Sequence, residues 1–336
     1  MLTKRENLIE TLKGVNGHPD RFVNQYEPFT IIYATPVTAQ SPMPTLGGEP
    51  KKDAWGVTKH WPEGTPGAFP IHDEEHLVLK DMENWRSQVK APRLDFSEEE
   101  WLPYIKMAEK ADRKETFATL FYAPGLFEQC HYLMNMQNCM INFYEYPDEM
   151  HELIEYITEF ELSYAELACK YIKPDAFFQH DDWGSQISTF MSPDMFEEFF
   201  LPHYKKLYGY YRTHGCEIIM HHSDSYAKTL VPYMIEMGID IWQGVMTTNN
   251  MEELIPEYGD KLCFMGGIDS ATIDFPGWTE EVVEQRVREA CEKYGRFGKG
   301  FSPCASQGLP MSTFPGVYQA TSKYIDVMSA EMFPRK

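Results

Sequence analysis

From about residue 115 onward, short apolar runs alternate with longer stretches whose apolar residues recur at helical spacing. Strands separated by helices cannot pair as tight hairpins, so the sheet they build is parallel, with helices outside it. The runs are Thr116–Tyr122, Ala176–Gln179, Glu217–Met220, Asp240–Gln243, Leu262–Met265 and one from Gly300 to Cys304. Helical stretches lie between them, at Pro147–Cys169, Ser192–His214, Ala227–Met237, Met251–Tyr258 and Glu280–Tyr294. Ser192-Pro193-Asp194 is a good helix start. A further run at Phe29–Ala34 brings the strands to seven, and no eighth is evident. No GxGxxG follows any run, which leaves a dinucleotide-binding sheet unsupported. The expected fold is α/β, a (β/α)8 TIM-type barrel with an N-terminal extension and an irregular insertion. The insertion spans residues 36–75, rich in Pro and Gly, with Trp55 and Trp61. Such irregular segments are commonly functional. With no internal repeat, low-complexity tract or linker, residues 1–336 read as one domain.

Two of the runs end in metal-binding residue types. Glu217–Met220 runs into His221, His222 and Asp224, and the last run ends in Cys304. Zinc accepts imidazole nitrogen, thiolate and carboxylate oxygen, and a catalytic zinc keeps one position open. Parallel strands place their C-terminal ends on the face where barrels of this type carry their chemistry. Another run ends in His180-Asp181-Asp182-Trp183. Paired carboxylates there suit a general acid or a substrate anchor, because close like charges raise one pKa. Asp182 is the leading catalytic candidate, with His180 and Glu128 beside it. Alternation along a strand turns His221 away from the face that His222 occupies. Asp224 reads equally as a metal ligand or as a helix cap.

Acidic residues number 51 against 30 basic ones, a net charge of −21. There is no Lys/Arg block, which argues against nucleic-acid binding and mildly against anionic membranes. The amphipathic N-terminus lacks the apolar centre of a signal peptide, and no apolar run is long enough to span a bilayer. Seven cysteines without a CxxC spacing suggest a reducing compartment, the cytoplasm. The 21 Phe, 20 Tyr and 7 Trp serve either a large core or a roomy pocket for a flat ligand. Tyr33, Tyr122, Trp183 and Trp242 are the candidates for such a pocket wall.

The sequence resembles the uroporphyrinogen decarboxylase superfamily, in its corrinoid-dependent methyltransferase branch. The resemblance runs through Asp53-Ala54-Trp55-Gly56-Val57, Gly125-Leu126-Phe127-Glu128 and Asp181-Asp182-Trp183-Gly184-Ser185-Gln186. It continues through Phe196 to Pro202, Leu230-Val231-Pro232, Glu236 to Asp240, and Phe264-Met265-Gly266-Gly267-Ile268-Asp269. It implies a zinc enzyme whose methyltransferase members carry a His-x-Cys pair and a distant Cys. His222-Ser223-Asp224 falls on the His-x-Cys position, with Asp224 in place of the first Cys. Shifted by one residue, His221-His222-Ser223 falls there instead. Cys304 matches the distant Cys, and Gln243 is a further candidate ligand. The implied metal set is thus His222, Cys304, Asp224 and Gln243.

The decarboxylase itself grips its polycarboxylate substrate with an early arginine pair. The corresponding segment here, Thr30 to Val37, has no arginine, although such a substrate needs fixed cations. The resemblance therefore implies methyl transfer from a small O-methyl substrate, an aryl methyl ether, to the cobalt of a corrinoid on a separate protein. No Asp-x-His-x-x-Gly corrinoid motif occurs in the chain. A decarboxylase of a less charged acid, and a methylcorrinoid-to-acceptor methyltransferase, are the alternatives.

Overall fold

The computed structural model describes residues 1–65, 67–307 and 313–333. Seven parallel strands form one curled sheet whose spatial order follows the chain. They are β1 (Phe29–Ile32), β2 (Phe117–Tyr122), β3 (Ala176–His180), β4 (Ile218–His222), β5 (Ile241–Val245), β6 (Cys263–Ile268) and β7 (Phe301–Ala305). Neighbours in sequence are neighbours in space because each crossover helix returns the chain to the next position. This is a barrel-type sheet with helices on its outer face, and the described residues supply seven strands to it.

Alternating side chains divide the core in two. Phe117, Phe178, Ile218, Met220, Ile241, Met265 and Cys304 pack together inside the curl with Leu8, Val23, Tyr26 and Phe29. The intervening residues, among them Leu120, Phe177, Ile219, Trp242 and Phe264, face the helices. The N-terminal helix Lys4–Leu12 supplies Leu8 to the inner cluster. Arg5 ties that helix to the starts of the strands, reaching the Thr116 carbonyl and lying 3.7 Å from Asp175. The N-terminal rim is thereby covered, which leaves the opposite rim for chemistry.

Three expectations needed adjustment. The stretch Ser192–His214 is two helices, Pro193–Phe199 and Leu201–Thr213. Pro202 has no N–H to continue the first helix and sits instead in the first turn of the second, so the chain turns at Phe200. The strand expected at Glu217–Met220 continues to His222, which places both histidines inside the ladder. Part of the insertion is ordered as a three-stranded antiparallel sheet of Lys51–Lys52, Thr58–His60 and Phe69–Pro70. Asp53 holds its first turn, accepting from the Trp55 and Val57 amides and pairing with buried Lys59 at 3.1 Å. No described helix is long and apolar enough to cross a membrane.

Candidate functional site

Register builds the site. His180 on β3 lies opposite His222 on β4, and His222 opposite Gln243 on β5. The three residues share the inner side-chain parity, so three adjacent strand ends present imidazole, imidazole and amide side by side. The two rings stack, with centroids 4.4 Å apart and planes at 23°. Asp182 and Asp224 each follow their histidine by two residues. Ligand atoms of His180, Asp182 and His222 lie within 4.8 Å of one another. Asp224 Oδ2 is 4.0 Å from the His222 imidazole, and its backbone N–H donates to Asp182 Oδ1 at 3.0 Å.

Both imidazoles are held from behind. The Nδ1 of His180 is 2.9 Å from Glu128 Oε2, and the Nδ1 of His222 bonds Gln243 Oε1. An acceptor at Nδ1 fixes a proton there, so that in the neutral ring the other nitrogen is the one that carries the lone pair. Glu128 is 6 % exposed and sits in the first turn of the helix Leu126–Met134 rather than at a strand end. Asp181, next to His180, is the residue that positions it. Its carboxylate accepts from the Phe127 and Glu128 amides at 2.9 and 2.8 Å and from the Tyr204 hydroxyl. Gly125 makes this approach feasible, since a Cβ there would sit 2.5 Å from Asp181 Cβ.

The charges interact strongly. Burial pushes the His180 pKa down, but Glu128 and then Asp182 outweigh it, leaving His180 near 10. Burial, then the neighbouring His180, brings His222 down to about 4. Burial raises Glu128, and His180 pulls it back. Asp224 is raised to about 8 by burial, then by Asp182. Three carboxyl groups thus crowd two imidazoles and favour the imidazolium form of His180, whose proton a bound metal ion would displace.

The family model for uroporphyrinogen decarboxylase (URO-D) matches residues 54–324. The chain belongs to the URO-D family. A solved structure, a methyltransferase from Methanosarcina mazei, resembles it with a TM-score of 0.63 at 13% identity. The match covers 97% of this chain and 99% of that one, and at this identity the likeness is one of fold. No curated protein matches the sequence.

Within this URO-D chain the candidate residues go different ways. His180, Asp182, His222 and Asp224 converge. Gln243 is in contact with His222 as the partner of its Nδ1. Cys304 is not among the converging donors. Following the ladder from His222 through Gln243 and Met265 leads to Ser302 on β7, not to Cys304. The Cys304 thiol lies in the inner apolar cluster, where burial pushes it up to about 12, with only the Gln243 side chain pulling back.

Three of the four aromatic wall candidates lie on the helix side of the sheet. Tyr122 packs on Tyr164 at 5.1 Å, and Trp183 stacks on His221 at 3.9 Å. Trp242 donates to the Ser223 carbonyl at 2.9 Å. Tyr33 remains, 5.6 Å from Phe121, which meets Phe178 at 5.2 Å. Phe178 in turn meets the edge of His222 at 6.5 Å. Phe121 and Phe178 were missed from the sequence, although they share the strand parity of His180 and His222. His221 faces outward as alternation requires, bonded to Tyr208 and to the Asp181 carbonyl. Two surface hollows, of about 590 and 370 Å³, are lined by none of these residues.

Proposed function

We propose that this chain is a zinc-dependent methyltransferase. It moves a methyl group from a small O-methyl substrate, an aryl methyl ether, to the cobalt of a corrinoid carried by a separate protein. The observation that carries the reading is the cluster of His180, Asp182 and His222 at the C-terminal rim, beside the aromatic wall of Tyr33, Phe121 and Phe178. Membership of the URO-D family and the fold of the Methanosarcina mazei methyltransferase support it.

The residues fit a zinc ion. Two imidazoles with fixed Nδ1 partners and an adjacent carboxylate are borderline donors of the kind zinc takes. The chemistry zinc supplies when bound is Lewis-acid polarisation of the donor's oxygen, which turns a poor leaving group into an adequate one. The chain's own part is placement. Half-buried Tyr33 and Phe121 offer edges and faces to a flat ring, and buried Phe178 backs Phe121. Glu128 and Gln243 hold the two imidazoles at fixed angles. Asp224, its carboxyl raised to about 8, is a proton source beside the cluster for the oxygen left behind when the methyl group departs, and Asp182 supplies a carboxylate donor to the ion. The segment that grips a polycarboxylate in the decarboxylase has no arginine here, which favours a small, weakly charged substrate.

The experiment mixes the protein with an aryl methyl ether and a reduced corrinoid protein. A methyl–cobalt absorption spectrum is expected, and His222→Ala abolishes it. Equal rates in that variant, or no methyl–cobalt from a panel of small methyl donors, would reject the reading. The carboxyl pair of Asp182 and Asp224 favours one second reading, decarboxylation of a less charged acid. Release of carbon dioxide without any corrinoid would select it. Methyl transfer from methyl–cobalt to an added thiol would instead select the reverse direction.

A further inference from the structure

The sequence His-x-Asp occurs at the ends of two adjacent strands, as His180-Asp181-Asp182 on β3 and His222-Ser223-Asp224 on β4. The register pairs His180 with His222, so the second copy is the direct neighbour of the first. Each copy repeats one plan. Nδ1 of the histidine is taken by an acceptor from a third element, Glu128 from the helix after β2 or Gln243 from β5. The remaining ring nitrogens and the carboxyls face one region, in which His180, Asp182 and His222 donors lie within 4.8 Å of each other. The bulge at Gly244 makes room for this. With φ +89°, Gly244 places its backbone so that a Cβ would sit 3.1 Å from His222 Nδ1 and Cε1.

We propose that His180, His222 and Asp182 form a divalent-cation seat of nitrogen and oxygen donors alone, with Glu128 and Gln243 as its positioning residues and Cys304 outside it. Asp224 stands next to the seat as a further oxygen donor. The inference deepens the zinc reading above and rests on it for the identity of the metal. It departs from the thiolate set that the sequence resemblance implies. Donors of this kind accept zinc and also cobalt(II) or manganese(II), whereas a thiolate would favour softer ions. A pair of imidazoles with a carboxylate at Nδ1 in one and an amide oxygen in the other also fits an outer shell that orients ligands, and loss of such partners typically costs about 10–100-fold in metal affinity.

The test uses the full chain, stripped with a chelator, and titrated with zinc and separately with cobalt(II), without corrinoid or methyl donor. One ion per chain is expected, by calorimetry and elemental analysis. The cobalt(II) form should show ligand-field bands but no thiolate-to-cobalt charge-transfer band. Cys304→Ser should keep both affinity and spectrum, while Glu128→Ala should weaken binding about 10–100-fold and His180→Ala at least as much. Circular dichroism of the stripped variants checks that they fold. A charge-transfer band that disappears in Cys304→Ser would overturn the seat. So would a stripped protein that binds no ion, or unchanged affinity in both His180→Ala and Glu128→Ala. The methyl-transfer assay on the same preparations separates the two ideas. A bound ion without methyl transfer retires the enzymatic reading and keeps the seat; methyl transfer with a sulfur-bound ion or none does the reverse.

Discussion

Replacing Asp181 by Ala tests how the catalytic rim is held. Its buried carboxylate accepts two amides at the start of the helix Leu126–Met134, at 2.9 and 2.8 Å, and the hydroxyl of fully buried Tyr204. Burial and then the nearby Glu128 raise its pKa to about 8, although the Tyr204 hydroxyl and the two amides pull the other way. Loss of a helix cap costs about 1 kcal/mol, and above that pH, where the carboxylate is charged, loss of a hydrogen bond to it costs about 1.5–3 kcal/mol. The Tyr204 hydroxyl would lose its acceptor in a dry site, which costs about 1–3 kcal/mol. One carboxylate makes all three contacts, so the terms overlap, and about 3–5 kcal/mol is expected for Asp181→Ala. Asp181→Asn keeps one acceptor oxygen and should lose about 1–2 kcal/mol. Urea unfolding above pH 8 of these two variants, Tyr204→Phe and the Asp181→Ala/Tyr204→Phe double variant gives a mutant cycle. Its coupling energy should be about 1.5–3 kcal/mol. A loss below about 1 kcal/mol for Asp181→Ala, or a coupling near zero, would refute this account of the rim.

Glu161 is fully enclosed, its one hydrogen-bond partner among the described residues is Gln179 at 2.8 Å, and its pKa is driven well up by burial and then by Asp181. A raised acid favours the folded state at low pH, and that advantage is lost as pH rises above the unfolded value near 4.3. The thermal midpoint of Glu161→Gln should therefore gain on the wild type progressively above that pH; a gap that stays constant or narrows with pH contradicts it. Gly244→Ala should destabilise by about 1–3 kcal/mol, because φ is +89° and the new methyl group meets His222; unchanged unfolding would show that the bulge relaxes freely. Phe178→Ala removes a ring that is 1 % exposed at the centre of the inner cluster, and a loss of about 3–5 kcal/mol is expected in denaturant titration. In the methyl-transfer assay the same variant should raise KM for the aromatic donor, and an unchanged KM would remove Phe178 from the wall.

The alternation of apolar runs and helical stretches determined the parallel sheet, the sequential strand order and the rim on which His180 and His222 lie. These follow from local chemistry, since burial on both faces makes strands continuously apolar and right-handed crossovers leave little choice of neighbour. The repeated His-x-Asp is also legible in the chain, and together with the sequential strand order it puts the two histidines at the ends of adjacent strands. What the sequence could not show was the register and the parity of each side chain. A shift of one residue turns a side chain from the inner to the outer face, and this sent Tyr122, Trp183 and Trp242 to the helices. Register likewise set Ser302 rather than Cys304 level with His222 and left the thiol among apolar groups. The partners of the two imidazoles, Glu128 and Gln243, come from elements far apart in the chain. Only the pairing of β4 with β5 and the docking of the helix after β2 brought them within hydrogen-bonding distance, so only the tertiary structure decided how the site is oriented.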